Sequence, residues 1–369
     1  MDASKRIGIL VLAGLLLIGA GAVLLPRMSK PGPGTDGIAA RYPGDGGIET
    51  DPAVFFVERF DQGTIASLAA RYEDVKNQGD LSFVADVPPG SAASKSLLMT
   101  AVGGSRPGPH LYKNLAADGS AQDGTVYVRY YVKYRSPFTQ HHNGVWMGGS
   151  NPPLNWPNPQ AGTRPAGDDR FIVGTEPVES TMRLDNYVYW KDMHGDPKGN
   201  FWGNDFLQDA DLKAPLDAWM CVETMVKLNA PVTASNGELA FWIDGAKRSH
   251  LGPGFPTGSW TWDSFHPGDG SPFPGFQWRT DPALNLNWLW LEHYSDNTPA
   301  GEQSAMQLAN VVAARSYVGC LAPGALRVVP NDRGSSTPIT RPDVNTDPAR
   351  SLLEKPEQAT PSLKGSLHC

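Results

Sequence analysis

The chain has 369 residues, 40% of them hydrophobic and 19% charged, with a formal net charge of −7. Gly and Pro supply about one residue in five, against a usual share of roughly one in eight. Both penalise helix interiors, which excludes an all-helical protein and suits an all-β domain with many turns. The 11 Trp, 11 Tyr and 13 Phe can fill a large core, which argues against disorder throughout, and no basic run marks a nucleic-acid surface.

In chain order, Lys5 and Arg6 precede an uncharged apolar run from Ile7 to Leu25. That pattern reads as a secretory signal, with Ala20-Gly21-Ala22 as its cleavage site, or as a membrane anchor of roughly 20 residues. Leu24 and Leu25 lengthen the run and favour the anchor. Either way the body of the protein is expected outside the cytoplasm, secreted or held at the cell surface or in the periplasm. Residues 26–51, rich in Gly and Pro, read as a linker, and 323–369, polar and proline-rich, as a disordered tail. The folded unit is expected over 52–322.

Within that unit a helix is expected at Gly63 to Tyr72. Strands carry the clearest signal. Val126, Val128, Tyr130, Val132 and Tyr134 share one face by alternation, and Tyr127, Arg129, Tyr131 and Lys133 the other. Cys221 to Leu228 alternates likewise, Glu238 to Ile243 runs into an Asp244-Gly245 hairpin turn, Asn287 to Tyr294 forms another strand, and Val311 to Val318 is expected to close the sheet. Many strands with long Gly/Pro-rich loops predict an all-β, two-sheet antiparallel β-sandwich. Cys221 and Cys320 lie in strand-like sequence and are expected to form a disulfide, the alternative being two separate buried thiols; Cys369, at the end of the polar tail, is free or intermolecular.

Several residues are candidates for chemistry. In Ser180 to Lys191, Met182, Leu184, Val188 and Trp190 fall on one strand face, and Arg183, Asp185, Tyr187, Tyr189 and Lys191 on the other, which suits a sheet whose outer side grips a flat polar ligand. Asp185-Asn186 is also a turn signal that would break this register. Trp288, Trp290, Glu292 and Tyr294 share a face on which the rings either stack on sugar or fill the core, with His293 on the opposite face as a core residue. His141 and His142 precede Asn143-Gly144-Val145-Trp146-Met147-Gly148-Gly149; adjacent strand side chains diverge, so one at most should face a groove. Glu223 is a buried functional carboxylate or a partner of Lys, Arg or backbone. Glu176 and Glu179, beside Pro177, do not share a strand face. Asp168 and Asp169 are the one hint of a structural calcium; no other cofactor or metal is implied.

The order Val126 to Lys133, Gly144 to Gly149, Thr181-Met182-Arg183 with Tyr187-Val188-Tyr189, Val226 to Asn229 and Asn236 to Gly245 resembles the family 14 polysaccharide lyases, alginate and glucuronan lyase-like proteins of the concanavalin A-like jelly-roll class. The similarity spans about residues 55–321. It implies β-elimination on a uronic-acid polymer: a group that neutralises the uronate carboxylate, a base for the C5 proton and an acid for the leaving oxygen. By this match Arg183 binds the carboxylate, Thr181 stands where a Ser is usual, and Tyr187 or Tyr189 serves as acid or base, the base role needing a phenol lowered by a nearby cation. The family's Gly-Lys-Leu-Pro-Gly segment is matched by Gly144-Val145-Trp146-Met147-Gly148, with Val145 in place of the lysine and His142 or Lys191 as possible substitutes. The partner implied is a polysaccharide, met by a lyase or by a non-catalytic carbohydrate-binding or cell-surface module; a sandwich hydrolase relying on Glu223 or Glu292 is a third reading.

Overall fold

The structure is a computed structural model, and it describes residues 36–178 and 180–321. The apolar run from Ile7 to Leu25, Glu179, the tail over 323–369 and Cys369 lie outside the described residues. Among the described residues no helix is long and apolar enough to cross a membrane.

The strands are β1 (Val54–Glu58), β2 (Asp74–Lys76), β3 (Leu81–Val84), β4 (Ser96–Val102), β5 (His110–Asn114), β6 (Thr125–Arg135), β7 (His142–Ser150), β8 (Arg170–Val178), β9 (Arg183–Tyr189), β10 (Met220–Lys227), β11 (Glu238–Ile243), β12 (Ala246–Leu251), β13 (Thr257–Thr261), β14 (Ser264–Pro267), β15 (Ser271–Pro272), β16 (Trp288–Tyr294) and β17 (Gln303–Ala314). An eight-stranded sheet runs β12-β11-β10-β6-β17-β4-β3, with β1 also on β17; a six-stranded sheet runs β2-β5-β16-β7-β8-β9; and β14-β13-β15 form a small third sheet. The two large sheets form the β-sandwich of the jelly-roll class expected from the alternating sequence. The expected helix is a 3-10 segment, Ile65–Ala70, started by a reciprocal cap between Thr64 and Ser67.

The predicted inner face of β6 is the core face: Val126, Val128, Tyr130, Val132 and Tyr134 are all buried in one cluster with Val145, Met147, Leu289 and Leu291 of the other sheet. The Tyr130 hydroxyl crosses between sheets to donate to the Thr175 carbonyl at 3.1 Å. β17 does not close the sheet. It runs between β6 and β4, begins at Gln303, and is buried along nearly its whole length, as an Ala- and Val-rich interior strand must be. A left-handed Asn310 (φ 49°) makes the bulge between Ala309 and Val312.

The outer face of the eight-stranded sheet is covered by both ends of the described region. Residues 36–51 are not a free linker. Their short 3-10 turns bury Ile38, Ala39 and Ile48 against Val312, Ala314 and Val318. Ile38 and Ala39 donate backbone hydrogen bonds to the Tyr317 and Val318 carbonyls at 3.1 and 2.8 Å. Beneath them Arg129, 0% exposed, holds both Asp45 carboxylate oxygens at 2.7 and 2.8 Å and the Asn310 carbonyl at 2.8 Å. The expected disulfide, Cys221–Cys320, fastens the returning chain, with Cα atoms 6.0 Å apart. Glu223 accepts the Val318 and Gly319 N–H groups at 2.7 and 2.8 Å. It therefore takes the backbone-partner role foreseen as the alternative to a functional one. Burial pushes its carboxyl up to about 7.

Candidate functional site

The outer face of the six-stranded sheet carries a cleft of about 660 Å³. Alternation along β16 places Trp290, Glu292 and Tyr294 in it. Register then sets Glu292 beside His110 of β5 and Gly144 of β7, Trp290 beside Trp146, and Tyr294 beside His142. On β8 and β9, Gly174 pairs with Tyr187 and Glu176 with Asp185. Glycines make room for the rings. A Cβ on Gly174 would lie 2.6 Å from Trp146 Cδ2, and one on Gly148 would lie 2.3 Å from Trp288 Cζ2. Trp146 in turn lies 6.0 Å from Trp290 and 5.6 Å from Tyr187, centroid to centroid.

One half of the cleft holds His142, backed from an adjoining recess by Glu176, beside two phenols. His142 Nδ1 is 3.2 Å from Glu176 Oε1, and Glu176 Oε2 accepts the Asn143 N–H at 3.1 Å. Burial, the largest single influence, lowers the His142 pKa, but the charge and hydrogen bond of Glu176 together with the Asp296 charge raise it above 6.5. The Tyr187 ring lies 5.0 Å from His142, and its hydroxyl is 3.5 Å from that of Tyr189. His141 lines the cleft too, stacked on His142 at 4.2 Å. It precedes the first residue of β7, so the alternation that would have separated the two rings does not reach it.

The other half holds Glu292, Lys76 and His110. Glu292 Oε2 is buried without a hydrogen bond, as are the indole nitrogens of Trp290 and Trp146. Burial first, and then the charge of Glu176, raise the Glu292 pKa well above its usual value, with Lys76 opposing. His110 Nε2 lies 3.0 Å from Asp74 Oδ2.

The remaining candidates lie elsewhere. Arg183 is on the expected face of β9, but its Nη1 is 2.5 Å from Asp185 Oδ2 and its Nη2 3.6 Å from Asp205, and it does not line the cleft. Asp185-Asn186 is strand rather than turn, because the Asp185 carboxylate accepts the N–H groups of Phe206, Leu207 and Gln208 from the neighbouring segment. Lys191 pairs with Asp192 at 2.5 Å. Thr181 is exposed in the turn before β9. Trp288 lines a small recess beside Trp290. With both cations engaged, the phenols are not lowered. Burial raises Tyr187 and Tyr189, and Tyr187 further through Tyr189. Val145 faces the core, so the outward positions on β7 are His142, Gly144 and Trp146. His293, as expected, is a satisfied core residue: its Nδ1 accepts from the Asn143 side-chain amide and its Nε2 donates to the Ser304 carbonyl, each at 2.8 Å, and burial pushes it down to about 4. Among the described residues no group of three or more His, Cys, Asp or Glu is placed to hold a metal ion, and Asp169 is engaged by the Ala166 N–H and by Arg170.

Sequence reasoning missed the roles of Glu176, Trp146, Lys76 and His110. The first two lie on β8 and β7, strands interrupted by glycine and proline; the signal that could have found them is the apolar run Phe171-Ile172-Val173 and the outward alternation His142, Gly144, Trp146.

No family model matches the chain, and no curated protein matches it. Among solved structures it is similar to the alginate lyase Aly36B, at 13% identity and a TM-score of 0.47 over 71% of this chain and 97% of that one. It is also similar to alginate lyase vAL-1 from Chlorella virus (11%, 0.46, covering 71% and 99%) and to the PL-14 alginate lyase from Aplysia kurodai (12%, 0.47, covering 70% and 98%).

Proposed function

We propose that this is an exported carbohydrate-active protein that binds a uronic-acid polysaccharide in the cleft of the six-stranded sheet and cleaves it by β-elimination. The observation that carries the reading is the meeting of His142, backed by Glu176 from the adjoining recess, with Tyr187 and Tyr189 in one tryptophan-walled cleft. Glu176 accepts the Nδ1–H of His142, which leaves the Nε2 lone pair as the base for the C5 proton. The C5–H electrons form the C4–C5 double bond, the C4–O bond breaks, and the leaving oxygen takes a proton from Tyr187 or Tyr189. A phenol raised by burial keeps its proton and suits this acid role. Trp146 and Trp290, buried in the core, line the cleft with the apolar edge of that core, against which a sugar ring would pack. Export is the expectation from the run at Ile7 to Leu25, and the Cys221–Cys320 bridge fits an oxidising compartment.

A second reading, a non-catalytic glycan-binding module, is favoured by the engagement of Arg183 with Asp185, which leaves Lys76 as the fixed cation lining the cleft among the described residues. Incubation with alginate, glucuronan and other polyuronates separates the two. Absorbance from unsaturated product supports the lyase. Retention of the polymer on an affinity gel without unsaturated ends supports the module, and new reducing ends without the chromophore would point to hydrolysis.

A further inference from the structure

The cleft is short of cations for an anionic sugar, yet it holds buried polar atoms that the protein does not satisfy. Glu292 is 7% exposed, lines the cleft, and leaves Oε2 without a hydrogen bond; Trp290 Nε1 and Trp146 Nε1, on the flanking wall, are in the same condition. Buried polar groups are normally satisfied, and an unsatisfied one is unfavourable until a partner arrives. Indole nitrogens are donors only, and a carboxylic acid is a donor as well while it keeps its proton. Three donors on one wall suit an acceptor-rich, negatively charged ligand group.

We propose that Glu292, as the neutral carboxylic acid, receives the substrate's carboxylate by donating a hydrogen bond to it, with the Trp290 and Trp146 indoles as neighbouring donors. It thereby fills the place that the resemblance gave to Arg183. The inference rests on the uronate reading of the cleft. The groups facing Glu292 are consistent with a protonated acid. Lys76 and His110 face it from β2 and β5, with His110 held by Asp74; Glu176 and His142 from β8 and β7; and Tyr294 lies two residues on along β16. Burial and the Glu176 charge hold the proton in place against Lys76. An ionised Glu292 would repel the carboxylate; a neutral one makes a charge-assisted bond to it.

The test measures binding by calorimetry from pH 5 to 9, using the full chain in a Tyr187→Phe background so that the ligand is not consumed. The probes are a mannuronate tetrasaccharide and its carboxyl-reduced neutral counterpart. Glu292→Gln keeps a neutral donor at every pH, so it should bind the tetrauronate within a few-fold of Glu292 at pH 5 and no worse than Glu292 as pH rises. Glu292→Ala should weaken tetrauronate binding by about tenfold or more and leave the neutral sugar unchanged. A Gln variant that loses tenfold or more in tetrauronate affinity at pH 5, or an Ala variant that weakens both sugars equally, overturns the proposal. If the Ala variant does not fold, the Gln variant decides alone. Failure of catalysis is read separately: absence of unsaturated ends with tetrauronate binding kept by the Gln variant removes the lyase and keeps the carboxylate site. Absence of tetrauronate binding at every pH removes the uronate reading itself, and this proposal with it.

Discussion

The two large sheets turn opposite kinds of surface outward. On the eight-stranded sheet the outward charges are covered and paired, with Arg129 Nε alone of the Arg129 nitrogens lacking a hydrogen bond. Arg129 is matched by Asp45 and Asn310, Glu223 caps the Val318 and Gly319 N–H groups, and residues 36–51 and 315–321 lie over them, fastened by Cys221–Cys320. On the six-stranded sheet the outward polar groups stay open. Glu292 and two indoles lack partners, and His142 is backed on one side only. The same alternation of strand side chains therefore produces a covered face where charges are paired and an uncovered face where several polar groups stay without partners, the face to which we assign the ligand. Mutations should separate the two, stability on one side and turnover on the other.

The largest effect is expected at the sealed face. Arg129→Ala strands Asp45 in the interior and should cost about 3–5 kcal/mol in equilibrium denaturation, and a paired Arg129→Met, Asp45→Leu replacement should recover much of it. A double replacement no more stable than the single one would mean that the pair is not the seal. On the open face, Tyr187→Phe should lower the elimination rate by about 10²–10⁴-fold, read as unsaturated product, with no loss of melting temperature. If Tyr189→Phe is the slower of the two, the acid is Tyr189. Joint replacement of Cys221 and Cys320 by Ser should cost about 2–4 kcal/mol of stability and leave glycan binding intact. Loss of binding there would mean that the faces are coupled.

The smallest effect is a shift in pH dependence. The His142 pKa in the folded protein is raised above 6.5, so the stability contributed by its pairing with Glu176 is present below 6.5 and is lost as pH rises through the folded value. A neutral imidazole is the competent base, so turnover should rise over that same interval. Glu176→Gln should move the acid limb of the rate profile to lower pH and flatten the stability change, both measurable on one sample series.

The fold was legible wherever one face of a strand was clean. β6, β10 and β16 follow from alternation alone, and the expected pairing of Cys221 with Cys320 is formed, although only Cys221 lies in a strand and Cys320 follows β17 outside any strand. β7 was not, because Gly144, Gly148 and Gly149 lower its strand propensity, and the Trp288 and Phe171 rings need the bare backbone of Gly148 and Gly149. β8 was hidden by Glu176-Pro177, so the carboxylate that tunes His142 read as a loop acid. Ile38 and Ile48 had no local periodicity to announce them; their burial comes from a sheet surface far away in sequence. In the site, the outward set Tyr187, Tyr189, Trp290 and Glu292 could be read from pleat geometry, whereas the engagement of Arg183 by Asp185 and Asp205 could not, since it depends on a segment that folds back after β9.

The bare backbone at Gly148 and Gly174 has a consequence for selectivity. A single methyl group at Gly174 would collide with Trp146 of the cleft, and one at Gly148 with Trp288 of the recess beside it. On the proposed reading, the thickness of glycan that the cleft could admit is set partly by carbon atoms the chain does without, a dial separate from any of the titrating groups along the rim.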